Sequence, residues 1–237
     1  AAAMVESGGA KGAKVQVDLA TALERCSGDM DLLVQVVSET LEKAKGEQVP
    51  LIKTALEGGD ATQAHFHAHS IKGASATTGF DSLSQCAKDL DDLVKSGTVD
   101  GAPELLDVMV AHLDACLHFW ERHQECMASG LDRCGDDKEL FQTIAKEMVR
   151  DIMPDQIQTL EAALESGDAE TAQQYGTQLE EAAETIGGAS LIDVLKPLNE
   201  ATSKGDLSSS GALIAAIKLE FTHTAAFWDK VETEEDD

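Results

Sequence analysis

The sequence contains few aromatic residues, few prolines and no long apolar run. Its 237 residues include 6 Phe, 2 Trp, 1 Tyr and 4 Pro. No segment approaches the roughly 18 apolar residues of a membrane span, so we expect no membrane insertion. No alternating strand pattern of useful length is present, and Ala, Leu, Glu, Asp and Gln dominate. This composition favours helices and predicts an all-α protein.

Basic residues are also scarce. The chain has 18 Lys and Arg against 44 Asp and Glu, which gives a formal net charge of −26. Acidic residues are spread over both halves of the chain, and no basic patch interrupts them. Such a surface repels phosphate backbones, so we expect no nucleic-acid partner. The simplest interpretation of the charge is a solvated acidic surface.

Cysteine is present in an odd number and without a C-x-x-C pair. This pattern favours reduced thiols in the cytoplasm or another reducing compartment, although a Cys126–Cys134 disulfide across the linker is an alternative. The chain begins Ala-Ala-Ala-Met, which is either a cloning scar or a mature end left after a targeting segment was removed. Organellar import therefore stays open. The cysteines are Cys26, Cys86, Cys116, Cys126 and Cys134.

Helix signals follow one another along the first half. Residues 1–15 are rich in Ala, Gly and Lys, and we expect a flexible segment there. A short helix is predicted over 17–26 and a long one over 31–57, which Pro50 should kink or split. Further helices are predicted over the histidine-rich stretch after Asp60, over 81–96 and over 102–125. Core candidates include Leu32, Leu33, Val37, Leu41, Ile52, Leu83, Leu90, Val108, Met109, Leu113 and Trp120.

The second half repeats the first with an offset of 108 residues. Leu23-Glu24-Arg25-Cys26 corresponds to Leu131-Asp132-Arg133-Cys134, and Phe119-Trp120 corresponds to Phe227-Trp228. Gap-free similarity over this length predicts two copies of one structural unit. The two Phe-Trp pairs are interpreted as core residues that close each bundle rather than as a ligand site.

These signals predict two tandem antiparallel four-helix bundles, each with a short extra N-terminal helix. The predicted domains are a flexible segment over 1–15, a first bundle over 16–128, a second bundle over 129–232 and an acidic tail over 233–237.

One helical face carries the groups with the most distinctive chemistry. His69, Lys72 and Gly73 are three to four residues apart and share that face, whereas a small, apolar stripe occupies another. A neutral imidazole is a good nucleophile near pH 7, and a lysine beside it can neutralise a phosphoryl group that it acquires. Gly73 costs about 1 kcal/mol of helix stability relative to Ala. Its missing side chain allows another surface to approach the imidazole.

The pattern His69-x-x-Lys72-Gly73, followed by Gly79, resembles the phosphoacceptor motif of histidine-containing phosphotransfer (HPt) domains. The resemblance implies that His69 is phosphorylated, with Lys72 and Gly73 beside it. It also implies transfer to and from aspartates of receiver domains, with receivers or a hybrid histidine kinase as partners. No cofactor is expected, because Mg²⁺ would be held by the receiver. We find no nucleotide loop or kinase motif, so we expect a phosphocarrier rather than an enzyme.

The second copy departs from this motif. The positions of His69, Lys72 and Gly73 are occupied by Thr177, Glu180 and Glu181. Threonine has no imidazole, and two glutamates repel an incoming phosphoryl group. The second repeat is therefore interpreted as a pseudo-HPt domain with a structural or docking role.

Two other interpretations remain open at this stage. The whole chain could be a non-catalytic scaffold or interaction subunit of a larger assembly, which would require the face of His69 to be covered. His65, His67 and His69 could also hold a metal, since His65 and His69 are one turn apart. Because no Cys, Asp or Glu nearby in sequence completes a ligand set, no metal site is predicted.

Overall fold

The computed structural model describes residues 3–6 and 14–231, which are helical apart from one short hairpin. The chain divides into two compact units, Ala1–Glu121 and Arg122–Asp237. The predicted acidic tail over 233–237 lies outside the described residues, as do residues 1, 2 and 7–13 of the predicted flexible segment. Over the described ranges, no helix is both long and apolar enough to cross a membrane.

The hairpin is a difference from the all-α prediction. Strand β1, Ala3–Glu6, pairs antiparallel with strand β2, Lys14–Val17. Val15 and Val17 of β2 are buried, and the backbone N–H of Gln16 donates to Ser82 Oγ at 3.1 Å. Alternate residues of β2 therefore pack on the first unit. A strand this short was missed because it offers only two apolar residues.

Six helices follow in the first unit, and the last of them continues beyond it. They are α1 (Leu19–Arg25), α2 (Met30–Lys43), α3 (Val49–Glu57), α4 (Ala61–Thr77), α5 (Asp81–Lys95) and α6 (Ala102–Arg133). The short helix α1 and the bundle helices agree with the predicted elements. The antiparallel pair α4 and α5 makes the most extensive helix–helix contact.

Pro50 splits the long predicted helix as expected. A π-helical turn over Ala44–Gln48 separates α2 from α3, and Pro50 stands in the first turn of α3. Proline lacks an N–H and its ring clashes with the carbonyl four residues earlier, so the chain widens there. The second unit has the same feature, a π-helical turn over Met148–Ile152 that precedes Pro154.

Most predicted core residues of the first unit are buried, Trp120 among them. Its indole Nε1 donates to Ser38 Oγ at 2.9 Å, and Phe119 packs edge-on against Phe80. Leu32 and Val108 were expected in the core, but both are exposed. Each lies beside a buried neighbour, and helical periodicity alone did not locate the edge of the buried face.

The second unit contains the end of α6 and five further helices. They are α7 (Lys138–Glu147), α8 (Met153–Ser166), α9 (Ala169–Thr185), α10 (Ala189–Ser203) and α11 (Ser210–Trp228). Its core includes Phe141, Phe227 and Trp228, whose rings meet edge to face.

Helix α6 corrects two sequence-based expectations. It continues to Arg133 instead of ending near Glu125, so the extra helix predicted at the start of the second bundle is not a separate element. Residues 126–133 contain no proline, and Gly130 alone costs only about 1 kcal/mol of helix stability. All five cysteines are free. Cys126 and Cys134 are separated by about 12 Å of helical rise, which is too far for a disulfide.

Candidate functional site

Helix α4 carries the motif singled out in the sequence. Asp60 caps its start, because Oδ1 accepts a hydrogen bond of 3.0 Å from the backbone N–H of Gln63 and satisfies a free donor of the first turn. The predicted stripe faces the interior of the unit, so the prediction of a helix with this buried face is confirmed. The buried residues of the stripe are Ala64, Ala68, Ile71, Ser75 and Thr78.

The side chain of His69 lies on the opposite, solvent-facing side of α4. It is 62% exposed. Lys72, one turn later, is partly exposed, and Gly73 is exposed. No described residue of the first unit buries the imidazole. The scaffold interpretation requires a separate partner over this face and stays a hypothesis.

Asp91 of α5 is the residue that the sequence did not reveal. Its side chain is 2% exposed, yet it is an acid with no motif around it. Oδ2 lies 2.5 Å from Lys72 Nζ and 3.1 Å from His69 Nδ1. Oδ1 lies 2.5 Å from His65 Nδ1. One buried carboxylate thus meets three basic groups of the neighbouring helix.

The charge of Asp91 follows from these contacts. Burial by itself raises the pKa of the carboxyl group, but hydrogen bonds from Lys72, His69 and His65 and the charge of Lys72 outweigh it. The pKa therefore lies below its ordinary value, and the group is ionised at neutral pH.

Lys72 and Asp91 both contact Nδ1 of His69, and their chemistry bears on which ring nitrogen carries hydrogen. Lys72 Nζ lies 3.1 Å from His69 Nδ1 and also donates to Asp91. An ammonium group only donates, so Nδ1 either accepts from Lys72 or donates to Asp91, but not both. Because the carboxylate can only accept, it favours the tautomer with hydrogen on Nδ1. That tautomer leaves the lone pair on Nε2.

The two glycines of the motif differ in what surrounds them. A Cβ on Gly73 would meet nothing within 4 Å, so packing within the described residues gives no reason for a glycine there. Gly79 has φ of +80°, and a Cβ on it would collide with the carbonyl oxygen of Asp18. Gly79 is therefore required by the backbone at the end of α4.

Two side chains near His69 complete the surface. Phe66 is 65% exposed and lies three residues before His69 on the same helix. Its ring packs edge-on against His67, with centroids 5.1 Å apart. The ring of Phe66 is therefore an apolar surface on the same helix as His69.

His65 and His69 were the candidate ligands of a metal site. Nδ1 of both His65 and His69 faces Asp91. Among the described residues, no three His, Cys, Asp or Glu side chains form a group suited to a metal ion.

The corresponding face of the second unit is built differently. Thr177 Oγ1 donates to the carbonyl of Gln173 in its own helix, at 2.9 Å. Glu180 Oε2 accepts a hydrogen bond of 2.6 Å from Asn199 Nδ2 on α10, and Glu181 is exposed. Within the described range Ala169–Thr185, helix α9 itself has no histidine, lysine or arginine.

A comparison with known families identifies the region that contains the His69 site. Residues 33–119 match the family model described as the Hpt domain. The match includes all of α4 and α5 and ends before the second unit. No curated protein and no solved structure matches the chain.

An Hpt domain implies phosphotransfer in two-component signalling. Hpt domains are phosphocarriers without kinase activity of their own, and they interact with receiver domains and histidine kinases. The resemblance noted in the first half of the sequence is thus supported over residues 33–119.

Proposed function

We propose that the protein is a phosphorelay intermediate in which His69 accepts a phosphoryl group from an aspartyl phosphate of one receiver domain and donates it to another. The observation that carries the proposal is an exposed imidazole whose Nδ1 contacts a buried carboxylate and whose neighbour is a lysine. Such an arrangement presents one nucleophilic nitrogen to a protein partner and supplies a cation beside it.

The transfer needs no further reactant from this chain. His69 Nε2 uses its lone pair to form a bond to phosphorus, and the bond between phosphorus and the aspartyl oxygen breaks. The electron pair of that bond stays on the carboxylate of the donor. Nδ1 keeps its hydrogen, so the phosphorylated ring carries a positive charge next to Asp91. The flexible side chain of Lys72, one turn later on α4, can move from Nδ1 toward the phosphoryl oxygens and neutralise them.

Gly73 and Phe66 have roles in partner docking under this proposal. Open space at Gly73 lets the receiver surface reach the imidazole, and the exposed ring of Phe66 supplies apolar contact area. Mg²⁺ belongs to the receiver in this scheme, and the chain needs no cofactor of its own.

The direct test is phosphorylation by a phosphorylated receiver. Wild-type protein is expected to take up one phosphoryl group per chain, sensitive to acid as phosphohistidine is, whereas His69→Gln takes up none. His67→Gln, a change on the flank of the same helix, serves as the matched control and should label like wild type. Labelling of His69→Gln at the wild-type level would overturn the assignment.

We further propose that the second unit is a degenerate copy of the first, with a structural or docking role. Helix starts support the offset of 108 residues: α4 and α9 begin at Ala61 and Ala169, each after a capping aspartate. Gly79 and Gly187 both have a positive φ after these helices. We expect mass spectrometry of labelled wild-type protein to find no phosphoryl group on residues 129–232. A phosphoryl group found there would contradict the proposal.

A further inference from the structure

His65 is a conspicuous side chain with no role in the proposed transfer. It lies one turn before His69, with ring centroids 5.7 Å apart, and its side chain is 34% exposed. His65 Nδ1 is 2.5 Å from Asp91 Oδ1, whereas Lys72 and His69 contact the other oxygen, Oδ2. A second imidazole is thus connected to His69 through a shared buried carboxylate.

Lys72 has two roles that compete in this cluster. In the resting protein it neutralises Asp91, at 2.5 Å from Oδ2. After transfer, the same ammonium group is the nearest cation for the phosphoryl oxygens. Transfer of a PO₃⁻ group also lowers the net charge of the cluster by one, because the gained phosphoryl is dianionic and the ring becomes cationic. Each of these changes makes the surroundings of His65 more favourable for a positive charge.

We propose that His65 takes up a proton when His69 is phosphorylated, so that it replaces Lys72 as the cation paired with Asp91. This inference rests on the proposed function, since it assigns a further residue to the same site. The proton comes from solvent, to which the His65 ring is partly open, and no bond other than the N–H bond of His65 is formed in this step. His65 is accordingly a positioning residue, which frees Lys72 for the phosphoryl group.

The charged groups that act on the cluster are few. Helix α4 contributes His65, His69 and Lys72, and α5 contributes Asp91. The π turn also packs on α4, but there the neutral Gln48 bonds to Ser70 at 2.7 Å. Helix α3 also packs on α4, and its two charged side chains, Lys53 and Glu57, are exposed.

The second unit supports the connection between His65 and the transfer. At the offset of 108 residues, His65 corresponds to Gln173 and Asp91 to Asn199. The unit that lacks the acceptor imidazole therefore also lacks the second imidazole and the carboxylate. The change from carboxylate to amide keeps a contact between helices, since Asn199 bonds to Glu180.

The experiment uses the full chain with ¹⁵N-labelled histidine. Nitrogen–proton correlation spectra distinguish neutral from protonated imidazole, and phosphoramidate serves as a small phosphoryl donor. We expect the ratio of protonated to neutral His65 to rise about three- to tenfold on phosphorylation of His69, as expected for one added charge at this distance. His67, which does not contact Asp91, is the internal control and should change much less.

A second arm needs no phosphorylation. In Lys72→Gln, loss of the competing cation should raise the protonated fraction of His65, whereas in Asp91→Asn the fraction should fall. Asp92→Asn, an exposed change on the same helix, should leave it as in wild type. An unchanged His65 in both Lys72→Gln and Asp91→Asn would overturn the inference.

The outcomes separate the two proposals. If phosphorus NMR shows phosphorylated His69 while His65 shifts no more than His67, the inference is wrong and the phosphorelay function stands. If neither phosphoramidate nor a phosphorylated receiver modifies His69, the proposed function fails, and the inference fails with it.

Discussion

At the scale of single residues, Asp91 determines how His69 is presented. It is buried, ionised and in contact with both His69 and Lys72. A hydrogen bond to a charged group contributes about 1.5–3 kcal/mol, and here it favours the tautomer of His69 that carries hydrogen on Nδ1. In the proposed function, the site therefore depends on an acid of α5 as well as on the motif of α4.

The first prediction concerns Asp91→Asn. An amide can donate to Nδ1 as well as accept, so the two tautomers of His69 become mixed and Lys72 loses its anchor. We expect the rate of phosphotransfer from a receiver to fall by about tenfold, which corresponds to the loss of roughly 1.4 kcal/mol. Single-turnover kinetics measure the rate, with Asp92→Asn as control. Equal rates for the two variants would contradict the assigned role.

The second prediction concerns Gly73. A Cβ there meets open space, so Gly73→Ala should raise the free energy of unfolding by about 1 kcal/mol. Gly73→Leu should slow transfer from a receiver domain, because the larger side chain obstructs docking. It should leave labelling by phosphoramidate near the wild-type rate, since this donor is small. Slowing of both donors to the same extent would show that the substitution damages the site itself.

At the scale of elements, helix α6 shows how a glycine inside a helix can be required. Gly130 lies where α6 passes the end of α9: a Cβ would come 2.5 Å from the carbonyl oxygen of Thr185 and 2.7 Å from a ring carbon of Phe141. Helix propensity alone would favour alanine at this position. Glycine is preferred here instead, because a Cβ would force the backbone of Thr185 and the ring of Phe141 to move in a closely packed region.

The third prediction therefore pairs Gly130→Ala with Gly73→Ala. Both changes replace a helical glycine, but we expect Gly130→Ala to lower the free energy of unfolding by roughly 1–3 kcal/mol, opposite in sign to Gly73→Ala. Urea denaturation followed by circular dichroism measures both variants. A stabilising effect of Gly130→Ala would mean that the helices separate easily at this point.

At the scale of the whole molecule, the dependence of stability on pH includes a buried acid in the second unit. Burial and the nearby charge of Asp193 raise the pKa of Glu220 to about 7 from an ordinary 4.5. His223 Nδ1 lies 3.6 Å from Glu220 Oε2, too far for a good hydrogen bond. Burial also lowers the pKa of His123 to about 4. The folded state therefore prefers both groups uncharged.

The fourth prediction follows from the sign of these shifts. Because the folded-state pKa of Glu220 is raised, the folded protein binds more protons, so stability falls as pH rises from about 4.5 through 7 and then levels off. Glu220→Gln should remove this loss and stabilise the protein by up to roughly 3 kcal/mol at pH 8, with little effect near pH 4.

Urea denaturation at several pH values tests this expectation. Glu200→Gln, an exposed change on α10, serves as the control. A gain for Glu220→Gln that is the same at pH 4 and pH 8 would show that ionisation of Glu220 is not its source. His123 acts in the opposite direction. Its pKa is lower in the folded protein, so the unfolded chain binds a proton first and stability falls as pH falls from about 6.5 toward 4.

The sequence by itself determined the helical class of this protein and the shared face of His69, Lys72 and Gly73. Both are local properties: residues three and four apart meet on any helix, and caps such as Asp60 lie beside the turns that they satisfy. The break at Pro50 could also be predicted from the sequence, because proline disrupts hydrogen bonds only within the adjacent turn.

Only the tertiary structure decided the rest of the site. The pairing of Asp91 with His65 and Lys72 depends on the register between α4 and α5, which no local pattern encodes. The same reason explains Gly79 and Gly130, whose missing side chains matter only where a distant backbone approaches. Local periodicity tells which residues share a face of a helix, whereas the partner of that face is set by how whole helices pack.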